Sequence, residues 1–525
     1  MTHPRPSQQT VRRWLLIAIV ALAGGLRIYR IGAESLWLDE AFSVWLARQP
    51  AGEMLGWIVR IDQHPPLYYG LLRIWMRLGD DPATLRALSA LCGTLTIPVL
   101  YRLGRRLAGP PVGLLAALLL ALSPFHVRFS QEVRMYALLS LNGALAFYGL
   151  ACLLTDPRLA QAGPGRQVIE FLHGWRASGI RPPLRTVDTD LAWGIYVLAT
   201  TAMLWTHNTA LFFPIAVNLI ALAAFLSRRR RHPRAAARGA RHWLLGQLGV
   251  GLLWAPWLPF LVSQAAGVYR QFWIPPPTAE DVIGVLGSFV IGQVAPTPLL
   301  VVSFGSLYVA LVALGCRYFR RHPGRIPFLL AGIAVPFAGE LLVSLRRPIF
   351  SDRTLIWASL PLILLLAGGV HRVRHRAAGV IVTLILVGVT GLGLADYTTR
   401  FEKEAWDDAA ALVADQVEPD DLILFNATWV QLPFDYYFHR LYSGPAAEHG
   451  VPADLFDRGV LEPQMTAGDL PRLRELVRDR RRVWLVYSHH AYTDPEGLIP
   501  PALAEDHEPA RQWTLYGVEI HLYAR

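Results

Sequence analysis

Charge is scarce in this sequence. Asp, Glu, Lys and Arg make up 17% of 525 residues, against 53% hydrophobic, and mean hydropathy is +0.33. So little charge argues against a soluble globule and for a polytopic membrane protein. Cysteine is scarcer still. Cys92, Cys152 and Cys316 lie in or beside apolar stretches, and their spacing forms neither a zinc motif nor a disulfide framework. The N-terminal apolar run lacks a convincing small-residue cleavage site, so it reads as an uncleaved first helix rather than a signal peptide. No internal repeat or low-complexity tract stands out.

The charge that is present is unevenly placed. After position 400 fall 22 of the 39 acidic residues but only 11 of the 50 basic ones. A basic, apolar portion therefore precedes an acidic, polar tail. The arginines of the first portion punctuate apolar runs, which fits orientation in a bilayer better than nucleic-acid binding.

Spanning a bilayer takes about 20 mainly apolar residues. Eleven stretches are candidates, the short 111–124 among them because shorter spans are tolerated inside a bundle: 14–31, 83–101, 111–124, 133–154, 190–206, 208–227, 243–261, 298–316, 326–345, 354–370 and 377–395. Residues 66–78 are apolar too, but Arg73 and Arg77 interrupt them, predicting an amphipathic interfacial helix. Arg12 and Arg13, "RLGRR" (102–106), 228–242, 317–325 and 371–376 fall on one side, which predicts a cytoplasmic N-terminus and an extracytoplasmic C-terminus. Loop 155–189, also inside, reads as a linker or short amphipathic element. The expected architecture is an all-α membrane domain, 1–400, with a first outer loop at 32–82 and a small α/β domain at 401–525. In that tail "WDDAAALVADQV" has helical spacing, "DLILFN" and "RRVWLVYS" read as strands, and "TLYGVEIHLYAR" as a closing strand or pair.

Four charged clusters fall on the outer side: "LWLDEA" (36–41), "DQHPPLYY" (62–69), "SPFHVRFSQEVRMY" (123–136) and "RRPIFSDR" (346–353). A carboxylate there could take a proton from a nucleophile, and guanidinium groups could hold a phosphate. Each also has a plainer reading. Asp39 and Glu40 could be solvated acids or a helix cap, His64 a turn residue, Arg128 and Arg134 headgroup anchors. His207, between two spans, could be structural. Glu340 lies inside a span, where a lone carboxylate is costly, and is expected to pair with a nearby arginine.

The order "LDE", "HPPLYY", "SPFHVRFSQEVRMYAL" resembles the GT-C integral-membrane glycosyltransferases, in particular the protein O-mannosyltransferase-like proteins (glycosyltransferase family 39) and the aminoarabinose transferases. "KEAWDDAAALVADQVEPDDLILF" is similar to the start of their soluble tail. The resemblance implies a polyprenyl-phosphate-linked sugar donor and inverting transfer at the outer face of the cell (inner) membrane, to an acceptor protein, lipid or glycan. It maps the acceptor's base onto Asp39, with Glu40 beside it. It puts His64, Arg128, Arg134 and Arg353 at the donor phosphate, supported by Asp62, Glu132, Tyr136 and His207. Metal-binding relatives carry an acid just before the His64 position. Here Gln63 stands there and Asp62 one residue earlier, so no cofactor is assigned and a divalent metal stays open.

The competing reading is a transporter or flippase of lipid-linked sugars. Transporters place binding groups near the midplane, whereas most candidate charges here lie at the outer boundary, which favours an enzyme.

Overall fold

The computed structural model describes residues 7–525 except 63, 155–188, 230–232, 268–276, 293–297, 322–323, 347, 427 and 455–463. The expected element at 155–189 therefore falls almost wholly outside the described residues. Two compact units emerge: Met1–Tyr29, His64–Tyr68 and Ala87–Arg400 form the first, and Arg30–Gln63, Tyr69–Arg86 and Phe401–Arg525 the second.

The first unit is helical. Each of the eleven apolar stretches coincides with a helix or a large part of one. Among the described residues, six helices are long and apolar enough to cross a membrane: Pro82–Ala108, Tyr136–Leu154, Asn208–Ser227, Gly239–Gln264, Arg325–Ser344 and Arg376–Arg400. Pro110–Leu122 and Pro124–Ser130 make a seventh when taken as one span, bent by 60°. The bend has a local cause. Pro124 has no N–H to continue the preceding helix, and Ser123 restarts the chain by accepting from the His126 N–H at 3.4 Å. Buried Arg27 secures this corner, donating to Ser130 Oγ (3.2 Å) and to the Ala23 and Ala121 carbonyls (3.1 and 3.3 Å). Gly93 makes room for it: a Cβ there would lie 2.1 Å from Ser130 Oγ and 3.0 Å from Arg27 Nε.

The second unit is built on a five-stranded sheet. Its strands are β1 (Leu422–Phe425), β2 (Ala447–Gly450), β3 (Arg482–Tyr487), β4 (Glu508–Leu515) and β5 (Val518–Ala524), in the order β2-β1-β3-β5-β4. β1 lies parallel to both β2 and β3, and β5 is antiparallel to β3 and β4. The closing segment is a hairpin, with Gly517 (φ +74°) supplying a turn conformation that other residues resist.

Alternation along the central strands feeds two apolar layers. Ile423, Phe425, Trp484 and Val486 pack with Trp406 and Val413 of the helix Trp406–Gln416 and with Phe434 and Phe438 of the helix Thr428–Leu441. Leu422, Leu424, Val483 and Leu485 pack with Leu473, Val477 and Leu503. Covered on both faces, β1 and β3 read as continuous apolar runs.

The first loop was expected to belong with residues 1–400. Most of it belongs to the second unit instead. Its helix Leu38–Arg48 packs on Thr428–Leu441, and the Leu36 N–H donates to the Tyr437 hydroxyl at 2.7 Å. The amphipathic stretch at 66–78 is the helix Leu67–Trp75 with a 3-10 turn, Met76–Leu78. Arg73 there donates to the Ala47 carbonyl at 3.1 Å.

Candidate active site

Asp39 and Glu40 sit in the first turn of the helix Leu38–Arg48, where carboxylates offset the exposed N–H groups of the helix start. Their environments differ sharply. Asp39 is half-buried, and its backbone carbonyl accepts from Ser43 Oγ at 2.8 Å. Glu40 is fully buried. Arg86 grips it with Nε on Oε1 (2.8 Å) and Nη2 on Oε2 (2.7 Å), and Lys403 Nζ lies 2.9 Å from Oε2. The Arg86 guanidinium also donates to the carbonyls of Ile31 (2.9 Å), Glu34 (2.8 Å) and Ser35 (2.7 Å).

Burial alone would push the Glu40 carboxyl upward. The charges of Arg86 and Lys403 and their hydrogen bonds outweigh it and hold Glu40 at about 2. A carboxylate so occupied is a poor proton acceptor. Its contacts tie residues 31–40, Arg86 and Lys403 together within the second unit. Asp62, on the same unit, is buried, at 7% exposure.

In the first unit a basic group gathers around one tyrosine. The His64 and His207 rings lie 5.0 Å apart, and the His207 and Tyr136 rings 6.2 Å apart. The guanidinium carbons of Arg134 and Arg353 stand 5.9 and 5.8 Å from the centre of the buried Tyr136 ring. His207 occupies a break between helices, and its Nδ1 accepts from the Thr209 N–H at 3.2 Å, capping the short turn Asn208–Leu211. Burial, and then the neighbouring His64, Arg134 and Arg353, push His207 well below its ordinary range, so a positive charge is disfavoured there. The same accumulation of basic groups favours an anion.

Arg128 and Glu132 take another course. Arg128 Nε lies 3.4 Å from Glu132 Oε1, and the guanidinium sits 5.4 Å from the Phe129 ring centre. Glu340 is buried as expected for an intramembrane acid, and among the described residues it meets a hydroxyl rather than an arginine. Thr354 Oγ1 donates to Oε2 at 2.7 Å, while Oε1 has no hydrogen-bond partner among the described residues. Thr354 directly follows Arg353 in the turn that leads into the short helix Ile356–Ala358, so the hydroxyl that meets Glu340 adjoins a member of the basic group.

Sequence reasoning missed Arg86, Lys403, Thr209 and Thr354. One signal was available: Lys403 is the only lysine in the chain.

Residues 63–163 match the family model of dolichyl-phosphate-mannose-protein mannosyltransferases. His64, Arg128, Glu132, Arg134 and Tyr136 all lie inside that stretch. No curated protein matches the sequence. Among solved structures, apo ArnT from Cupriavidus metallidurans aligns with a TM-score of 0.59 at 15% identity, over 98% of each chain. ArnT bound to undecaprenyl phosphate aligns with a TM-score of 0.56 at 15% identity, over 96% of this chain and 97% of that one. The oligosaccharyltransferase AglB from Archaeoglobus fulgidus, in complex with an inhibitory peptide and a dolichol-phosphate, gives 0.56 at 12% identity, over 98% of this chain and 74% of that one. This chain has the GT-C glycosyltransferase fold. It is an integral membrane protein. Within the GT-C fold, the matched stretch supplies the bent pair of helices and three of the five residues gathered at Tyr136.

Proposed function

We propose that the chain transfers a sugar from a polyprenyl-phosphate donor to an acceptor at the outer face of the cell membrane. The observation that carries this reading is the group His64, His207, Arg134 and Arg353 around Tyr136. Such a group suits a phosphate, and ArnT and AglB were solved with undecaprenyl phosphate and dolichol-phosphate. The arginine-rich loops put the N-terminus in the cytoplasm and the C-terminal residues outside.

A glycosyl phosphate is already activated, so the protein chiefly aligns the acceptor, removes its proton and neutralises the leaving group. The acceptor oxygen attacks the anomeric carbon and gives its proton to Asp39. The bond from that carbon to the phosphate oxygen breaks with inversion, and the polyprenyl phosphate departs with the electron pair and one more negative charge. Arg134 and Arg353 donate to its oxygens, with His64 as a third contact. Neutral His207 holds the local turn. Arg128, beside Glu132, positions the second outer loop.

The test is transfer from a panel of polyprenyl-phosphate sugars by the full chain in vesicles with native lipids and wall material. Arg353→Ala is expected to lower turnover by ~10²–10³-fold. Asp39→Asn is expected to abolish transfer while still binding donor. Full activity in Asp39→Asn would overturn its role as base. Wild-type protein that moves donor across the bilayer without breaking the glycosyl bond would favour the transporter.

A further inference from the structure

The tail carries a second chemistry-bearing cluster, apart from anything used above. On the helix Thr428–Leu441, Gln431, Asp435 and His439 follow at intervals of four and share one face. Glu448 stands on the edge strand β2. Asp435, His439 and Glu448 each present a ligand atom, all within 4.8 Å of one another. His439 Nε2 lies 3.0 Å from Glu448 Oε1, and Gln431 Nε2 donates to Glu448 Oε2 at 3.2 Å. Asp435 Oδ1 is buried and, among the described residues, has no hydrogen-bond partner.

We propose that Asp435, His439 and Glu448 form a binding site for a divalent transition-metal ion of the zinc class. Two carboxylates facing one another, one with a buried oxygen left unmatched, are costly without a proton or a cation between them. A cation at this point supplies what that oxygen lacks. One imidazole nitrogen and two carboxylates are a zinc-type set. Calcium and magnesium prefer more ligands, all of them oxygen. The three groups border a cavity of about 670 Å³ that also takes in Trp45, Arg48 and Asp80. Coordination positions left by the protein therefore open onto a space large enough for water or an oxygen ligand.

The experiment uses the full chain in detergent, stripped with a chelator and titrated with ZnCl2 by calorimetry, with Co2+ as a spectroscopic probe. One equivalent is expected, together with visible Co2+ bands and a higher Tm on zinc addition. His439→Ala and Glu448→Gln should weaken zinc by at least ~10-fold, the loss that changes merely supporting a ligand already cause. Asp435→Asn keeps the side-chain shape and removes one repelling charge. It should fold at least as well without metal, yet bind zinc more weakly and lose the zinc-dependent rise in Tm. Wild-type protein that binds no zinc, or His439→Ala and Asp435→Asn that bind it undiminished, would overturn the site. Binding of one Ca2+ in preference to zinc would overturn the metal class.

Discussion

Glu40 and Asp80 lie in the same unit, and each meets two cations. Glu40 has Arg86 at 2.7 Å and Lys403 at 2.9 Å, and Asp80 has Arg48 and Arg440, both at 2.8 Å. The distances are alike, but the solvent is not. The Glu40 side chain is 0% exposed and that of Asp80 55%. Around Glu40 the charges have given up water and depend on one another, so each group is costly to remove. Around Asp80 water competes for every charge, and the pairs add little. Counting ion pairs would treat the two clusters as equals.

The largest effect should come from truncating the buried acid. Glu40→Ala leaves Arg86 and Lys403 in the interior without their carboxylate, a change that costs about 3–5 kcal/mol when a buried pair loses one member. Thermal unfolding of the purified protein in detergent should show a large fall in Tm. A fall no larger than that of an exposed-pair variant would mean that water reaches Glu40 and would erase the contrast with Asp80.

Acid should expose the same dependence with a definite sign. The folded Glu40 carboxyl lies at about 2, against about 4.3 for an unfolded glutamate. A lowered folded value stabilises the protein above the unfolded one, and the benefit disappears as pH falls through the folded value. The contribution, about 3 kcal/mol for a shift of that size, should be complete above pH ~5 and lost progressively toward pH 2. In Glu40→Gln this part of the acid dependence should vanish, leaving a flatter curve than wild type between pH 5 and 2. Parallel curves for the two proteins would remove Glu40 as the source.

How far the sequence made this legible depends on the range of each interaction. The membrane helices were legible because an apolar run of span length is a local property, and Pro124 marks its own bend. β1 and β3 were legible because strands buried on both faces are unbroken apolar runs. The four segments that supply the group at Tyr136 could be nominated one by one, from an acid or a base placed beside an apolar span. That they come together could not, since it depends on contacts between segments far apart in the chain, such as His64 with His207. The partners of Glu40 were hidden for a related reason. The pair "DE" looks uniform in sequence, yet one residue faces inward to Arg86 and Lys403, more than 40 and 360 positions away. The lone lysine was the one mark of that partnership. Nor does local patterning assign the loop at 30–63 and 69–86 to the unit that holds the tail. That assignment rests on pairings such as Leu36 with Tyr437.

The smallest effect should come from Asp80, and it sharpens the contrast best because the geometry is so similar. Asp80→Asn removes the charge but keeps the backbone carbonyl, which accepts from the Tyr436 hydroxyl and from Arg440 Nη2 at 3.3 Å. It also leaves both guanidinium groups on the Tyr436 ring, Arg440 at 3.7 Å and Arg48 at 5.4 Å from its centre. Such contacts are worth about 0.5–1 kcal/mol where exposed, and they hold the arginines in place without the carboxylate. The expected loss is therefore about 0–1 kcal/mol. It should shrink further as salt is raised from 0.05 to 0.5 M, because exposed charges are screened over a few ångströms at high ionic strength. The Glu40→Ala loss, measured in the same salt series, should hardly move. If both losses fall together, the two carboxylates share one solvent environment, and burial is not what separates them.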